Sequence, residues 1–166
     1  MQPPDSFMEI FLNPGEYYFG DHETRIRTVL GSCVSMTLWH PRLRVGGMTH
    51  FMLPTRSSEG TPAESDLDGR YADEALELLM AEIDAVGAPH REYQVKLFGG
   101  GNMFPTITKQ GQPTLGDKNI DTARDLIGRY GFPCAAEHLG GKGHRNVIFD
   151  VWSGDVWVKH PKLQSY

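Results

Sequence analysis

Cysteine is nearly absent from this chain: Cys33 and Cys134 are the only two among 166 residues. No Cys-x-x-Cys, no His-x-x-x-His and no carboxylate-rich loop offers the donor spacing of a metal site, so the seven histidines lead to the expectation of no metal and no cofactor. Two thiols are too few for a disulfide framework, and a chain long enough to build its own core is expected to keep both free in a reducing compartment. Cys134, within Pro133-Cys-Ala-Ala-Glu-His138, reads as core filler. Positive charge is short as well. Sixteen Lys and Arg stand against 21 Asp and Glu, without a basic run, which excludes the electrostatic footprint of a nucleic-acid or anionic-lipid binder. No stretch approaches the roughly 18 consecutive apolar residues of a membrane helix, and Met1-Gln-Pro-Pro-Asp-Ser6 lacks the pattern of a signal peptide. The expectation is a cytoplasmic protein with no membrane insertion. Internal repeats are missing too, and the glycine run Gly99-Gly100-Gly101 has neither Gly-x-Gly-x-x-Gly nor Gly-Lys-Ser/Thr, so it is no phosphate loop.

What is present suits one domain with a substantial core: 39% of residues are hydrophobic and 22% charged. The informative stretch runs from Thr28 to Pro54. Residues 33–39 and 45–53 are apolar, rich in β-branched and aromatic side chains, and flank the polar run His40-Pro41-Arg42-Leu43-Arg44, which predicts a hairpin. Folding at residue 41 or 42 brings Cys33 and His50 together across the ladder. A sulfur nucleophile needs such a neighbour, because the thiol is mostly protonated at neutral pH until a base takes its proton. Gly31-Ser32 before the cysteine permits a sharp turn whose backbone N–H groups would face the oxygen of an attacked carbonyl. The same two residue types also commonly occur as a small buried hydrophobe and a core histidine, and spacing alone leaves that alternative open.

The remaining pattern alternates strands and helices. Residues 16–19, 26–30, 93–98 and 134–139 read as strands, 146–152 and 155–160 as a last hairpin, and 71–86 and 119–130 as amphipathic helices, with Asn119 as an N-cap. Residues 1–13 form an N-terminal arm, 14–160 the domain and 161–166 a C-terminal tail. The polar stretch 55–70 follows directly on the presumed base and is read equally as a lid or as a surface insertion. Lys142, His144 and Arg145 form the one local basic cluster, by default a solvated loop.

Four blocks in order, Thr28-Val-Leu-Gly-Ser-Cys33, Gly46-Gly-Met-Thr-His-Phe-Met-Leu-Pro54, Lys96-Leu-Phe-Gly-Gly-Gly-Asn-Met-Phe104 and the glycine-rich pattern from Gly140 to Phe149, resemble CheD, the chemoreceptor glutamine deamidases of bacterial chemotaxis. The resemblance covers about residues 14–160. It implies a layered α/β/β/α sandwich of mixed or antiparallel sheets, a Cys33 nucleophile and a His50 base, and a third residue at Thr28. In the family pattern that threonine stands six positions before the cysteine, where this chain has Arg27; because strand faces alternate, a one-position offset bears on which way Thr28 points. Gly31, Ser32, Gly99, Gly100, Gly101 and Asn102 are the candidates for holding the oxyanion or the substrate. The implied activity is conversion of receptor glutamines to glutamate, with chemoreceptors and a CheC-type phosphatase as partners. The rival expectation is a binding module without turnover, and methylester hydrolysis would use the same chemical steps.

Overall fold

The computed structural model describes residues 1–56, 63 and 66–166. Among these residues ten strands and two α-helices are arranged as β1 (Met8–Phe11), β2 (Tyr17–Gly20), β3 (Thr24–Leu30), β4 (Val34–His40), β5 (Val45–Thr49), α1 (Ala72–Val86), β6 (Gln94–Gly99), α2 (Leu115–Arg129), β7 (Cys134–Leu139), β8 (Arg145–Asp150), β9 (Val156–Lys159) and β10 (Leu163–Ser165). They form two five-stranded mixed sheets. The first has the order β1-β3-β8-β9-β10, with β1 parallel to β3; the second has β2-β5-β4-β6-β7, with β6 parallel to β7.

Burial patterns follow from the layers. β4 is buried on both faces over Val34–Leu38 because the second sheet is the middle layer, covered by helices on one side and by the first sheet on the other. β3 instead alternates, with Thr24, Ile26, Thr28 and Leu30 buried, since the outer face of the first sheet is open. Leu76, Leu79, Ile83, Ile120 and Ile127 of the helices pack on Met36, Phe51 and Leu97. Between the sheets, Ile26, Leu30, Met48, Phe98, Val147 and Phe149 form a second cluster. The α/β domain with two mixed sheets holds, but both helices lie on the second sheet. The described elements thus stack in three layers, helices, sheet and sheet, where four were expected.

Other expectations change in detail. α2 begins at Leu115 rather than Asn119, because Thr114 and Asp117 form a capping box with hydrogen bonds of 3.1 and 2.9 Å. Cys134 is exposed and not core filler: it starts β7, the edge strand of its sheet. Both cysteines are free. Glu74, on the nominally polar face of α1, is buried and paired with Arg56 at 2.6 Å. The arm carries β1, hydrogen-bonded beside β3, and the tail carries β10 beside β9. The lid reading for 55–70 falls for half its length on 57–62, 64 and 65, which lie outside the described residues. Its ends are anchored, since Asp68 N–H also donates to Glu74, and Met52 and Leu53 N–H both donate to the Arg70 carbonyl.

The hairpin pairs Thr37 with Met48, Leu38 with Gly47, Trp39 with Gly46 and His40 with Val45. Gly46 is required by close packing: a Cβ there would lie 2.5 Å from the Leu38 carbonyl oxygen and 3.2 Å from Phe149 Cζ of the facing sheet. Gly46→Ala should therefore lower stability by about 1–3 kcal/mol through overpacking, read as a lower urea midpoint with unchanged slope. An unchanged midpoint would contradict this packing.

Candidate active site

Residues 31–33 form the short crossing from β3 in the first sheet to β4 in the second, which puts Cys33 at the mouth between the layers. Three consecutive carbonyls of this crossing are pinned. Gly31 O accepts from Gly101 N–H at 2.9 Å, Ser32 O from Asn119 Nδ2 at 3.0 Å, and Cys33 O from Gly100 N–H at 2.9 Å. The N–H groups of Ser32 and Cys33 donate to no other residue among the described residues, and that of Cys33 meets only its own thiol. The glycine run thus acts through the Cys33 loop: the N–H groups of Gly100 and Gly101 are committed to its carbonyls. Gly99 and Gly100 hold φ of 114° and 70°, a region that favours glycine. Asn102 makes a turn, its Oδ1 accepting from Phe104 N–H at 2.9 Å and Thr108 Oγ1 at 3.3 Å.

Past the end of β5, the first residue of β4 makes one further pair: Val34 and Phe51 exchange two hydrogen bonds of 3.1 Å. Their side chains enter the helix-facing core, so by alternation Cys33 and His50 share the opposite face, which looks toward the first sheet. The register makes them diagonal neighbours, a relation of about 7–8 Å between Cα atoms and less between Cβ atoms. Cys33 is half-buried and His50 is 2% exposed.

Thr28 approaches from the first sheet. Its side chain lies on the buried face of β3, and Oγ1 is 2.7 Å from His50 Nδ1 and 2.8 Å from the Leu12 carbonyl oxygen. A carbonyl only accepts, so the hydroxyl donates to Leu12 and accepts from Nδ1–H. That arrangement fixes the tautomer: Nδ1 carries the proton and Nε2 carries the lone pair. Nε2 is buried without a hydrogen-bond partner among the described residues, Cys33 included. The offset from the family pattern leaves Thr28 facing the histidine.

Burial pushes His50 down to about 4, against smaller opposing effects of the Leu12 carbonyl and the Glu16 charge. Burial also pushes the Cys33 thiol up, partly offset by its own backbone N–H. Both groups are therefore neutral at pH 7. A cleft of about 350 Å³ reaches the Cys33 loop at Ser32 and is lined further by Gly101, Met103, Phe104, Ile107 and Leu115; neither Cys33 nor His50 lines it. Phe104 and Ile107 are 65% and 77% exposed, which gives the cleft an apolar rim. A larger cleft of about 670 Å³, lined by Phe7, Tyr18 and Thr24 among others, includes none of the site residues.

Sequence reasoning missed two participants. Leu12 acts through its carbonyl, for which an apolar side chain gives no signal. Asn119 left one: it is a polar residue in register with the buried stripe Ala123, Leu126 and Ile127. Arg145, read as part of a solvated basic cluster, is fully buried; it donates to the carbonyls of His138 and Gly140 and so braces the glycine-rich turn.

A family model described as CheD chemotactic sensory transduction matches residues 52–160. Full-length relatives extend across Cys33 and His50. The chain is 48% identical over 159 residues to a probable chemoreceptor glutamine deamidase CheD 3 of Dechloromonas aromatica, covering 96% of this chain and 91% of that protein. It is 48% identical over 166 residues to a probable chemoreceptor glutamine deamidase CheD of Pseudomonas savastanoi, covering 99% and 92%. A CheD 1 of the same description from Leptospira interrogans is 38% identical over 164 residues, covering 96% of each chain.

The buried imidazole has a consequence for stability. His50 protonates at about 4 when folded against an ordinary 6.5, so between these values the unfolded chain holds a proton that the folded chain does not. The stabilisation is complete above pH 6.5 and is lost as pH falls toward 4, by on the order of 3 kcal/mol. The urea midpoint should fall more between pH 7 and 4.5 for the native chain than for His50→Gln. Equal falls would contradict a neutral buried imidazole.

Proposed function

Because the chain belongs to the CheD family, we propose that it is a chemoreceptor glutamine deamidase that hydrolyses the side-chain amide through a Cys33 thioester. The observation that carries this reading is the Thr28–His50 hydrogen bond, which leaves Nε2 as an unoccupied base on the face shared with the thiol.

The balance of acidities decides how the thiol is used. Burial holds the Cys33 thiol above its ordinary range and His50 down at about 4, so the resting site is a thiol beside a neutral imidazole and the thiolate–imidazolium pair is a minor species. Proton transfer thus accompanies attack instead of preceding it. As sulfur bonds to the amide carbon, its proton passes to Nε2, and the carbonyl electron pair moves onto oxygen, where the N–H groups of Ser32 and Cys33 receive it. An imidazolium of low pKa is a strong acid. It returns the proton to the amide nitrogen as the C–N bond breaks, releasing ammonia and leaving the thioester. Water then attacks with Nε2 as base, the C–S bond breaks, the proton returns to sulfur, and glutamate is formed. Through both halves Thr28 accepts from Nδ1–H while donating to Leu12, so the ring does not rotate away.

The apolar rim of Met103, Phe104 and Ile107 beside Ser32 suits a receptor segment that presents its glutamine to Cys33 while burying apolar neighbours. The reading places the protein in the cytoplasm, with chemoreceptors as substrates and a CheC-type phosphatase as a further partner. A methylester would pass through the same steps, with methanol leaving in place of ammonia.

Incubation with a receptor cytoplasmic fragment should give a mass gain of about 1 Da for each glutamine converted, lost in a folded Cys33→Ser variant. The rate should stay flat from neutral pH down to about 5 and fall as His50 protonates near 4. Binding of the fragment without mass gain, or Cys33→Ser turning over at the native rate, would overturn the proposal.

A further inference from the structure

Beyond Val34 and Phe51, no backbone hydrogen bond joins the nucleophile-bearing chain to the base-bearing chain among the described residues. One side chain spans the gap. Asn119 Nδ2 donates one hydrogen to Ser32 O at 3.0 Å and the other to Met52 O at 2.9 Å. Ser32 precedes the nucleophile by one residue, and Met52 follows the base by two.

The amide orientation is determined by chemistry, since Oδ1 turned toward two carbonyls would be repelled by both. With Nδ2 in that place, Oδ1 is buried and has no partner among the described residues. Asn119 is itself 0% exposed, on a stripe otherwise made of Ile120, Ala123, Leu126 and Ile127. An apolar residue there would fill the stripe without an unsatisfied acceptor, so packing alone does not account for asparagine. The first turn of α2 is seated to deliver it: a Cβ on Gly116 would lie 2.4 Å from the Gly100 carbonyl oxygen, so only glycine lets the helix rest on the loop whose N–H groups hold Gly31 and Cys33.

We propose that Asn119 is a positioning residue that clamps the Cys33 loop to the chain leaving His50 and so fixes where the sulfur stands relative to Nε2. The proposal rests on the Cys33–His50 reading for its catalytic consequence, but the clamp has a signature of its own. With the clamp cut, the crossing is held only through the glycine run, and the sulfur is free to shift relative to the imidazole. A misplacement of about 1 Å costs on the order of 100-fold in rate.

The test uses the full chain with Asn119→Asp, which keeps shape but has no N–H to donate, and Asn119→Ala. Ala123→Gly on the same stripe serves as a control for plain destabilisation. Iodoacetamide alkylation is followed separately at Cys33 and Cys134, the exposed thiol acting as internal reference, and kcat and KM are measured on the receptor fragment. Both Asn119 variants should raise the Cys33-to-Cys134 alkylation ratio severalfold and lower kcat by roughly 100-fold with KM within about twofold. Ala123→Gly should leave both readouts at native values. An unchanged ratio in folded Asn119 variants, or matching losses in Ala123→Gly, would overturn the clamp. A raised ratio in a protein that never deamidates the fragment would support the clamp while overturning the deamidase reading.

Discussion

The contact on which the site depends is a single hydroxyl between two sheets. Thr28, on a strand of the first sheet, accepts from His50, on the chain leaving the second, and donates its own hydrogen bond to the Leu12 carbonyl. Among the described residues no carboxylate hydrogen-bonds to the ring, and the Glu16 charge is a small effect, so the ring is oriented without being made strongly basic. This is why burial prevails and His50 sits at about 4. In the proposed mechanism the resulting base is weak toward a resting thiol, and the acid it becomes is well suited to expelling ammonia. Under that proposal, restraint of the resting thiol and expulsion of the leaving group come from the same environment.

That contact is possible because the second sheet is a middle layer. Its helix-facing side chains, Val34 and Phe51 among them, are fully used in packing, and the alternating positions Cys33 and His50 face the first sheet. Leu12 reaches the site only because β1 lies parallel to β3, with Leu12 N–H bonded to the Arg27 carbonyl. A segment that looks like a loose arm in the sequence therefore supplies the last acceptor in the chain of hydrogen bonds.

Much of the fold was legible. Pro41 in a polar run between two apolar runs marked the β4–β5 hairpin, and the three- and four-residue spacing of Ala72, Leu76, Leu79 and Ile83 marked the buried face of α1. The start of α2 was misplaced by four residues because a tertiary contact and a cap compete for attention: Thr114-x-x-Asp117 is a capping box, while Asn119 resembles a cap and is in fact buried. The exposure of Cys134 depends on β7 being an edge strand, a property of sheet order that composition does not carry. At the site, residue types with side-chain chemistry stood out at once. Contributions made through backbone atoms did not, and neither Leu12 O nor the pinned carbonyls of 31–33 leave any mark on the side-chain pattern.

The state of the His50 ring bears most directly on this account. Nitrogen-15 NMR of the histidine rings, with His50 assigned by comparison with His50→Gln, reports which nitrogen carries the proton and at what pH the second is gained. The expected result is a neutral ring protonated at Nδ1 and bare at Nε2 throughout pH 5–8, with protonation only near 4. A ring protonated at Nε2, or one that titrates at the ordinary value near 6.5, would contradict it.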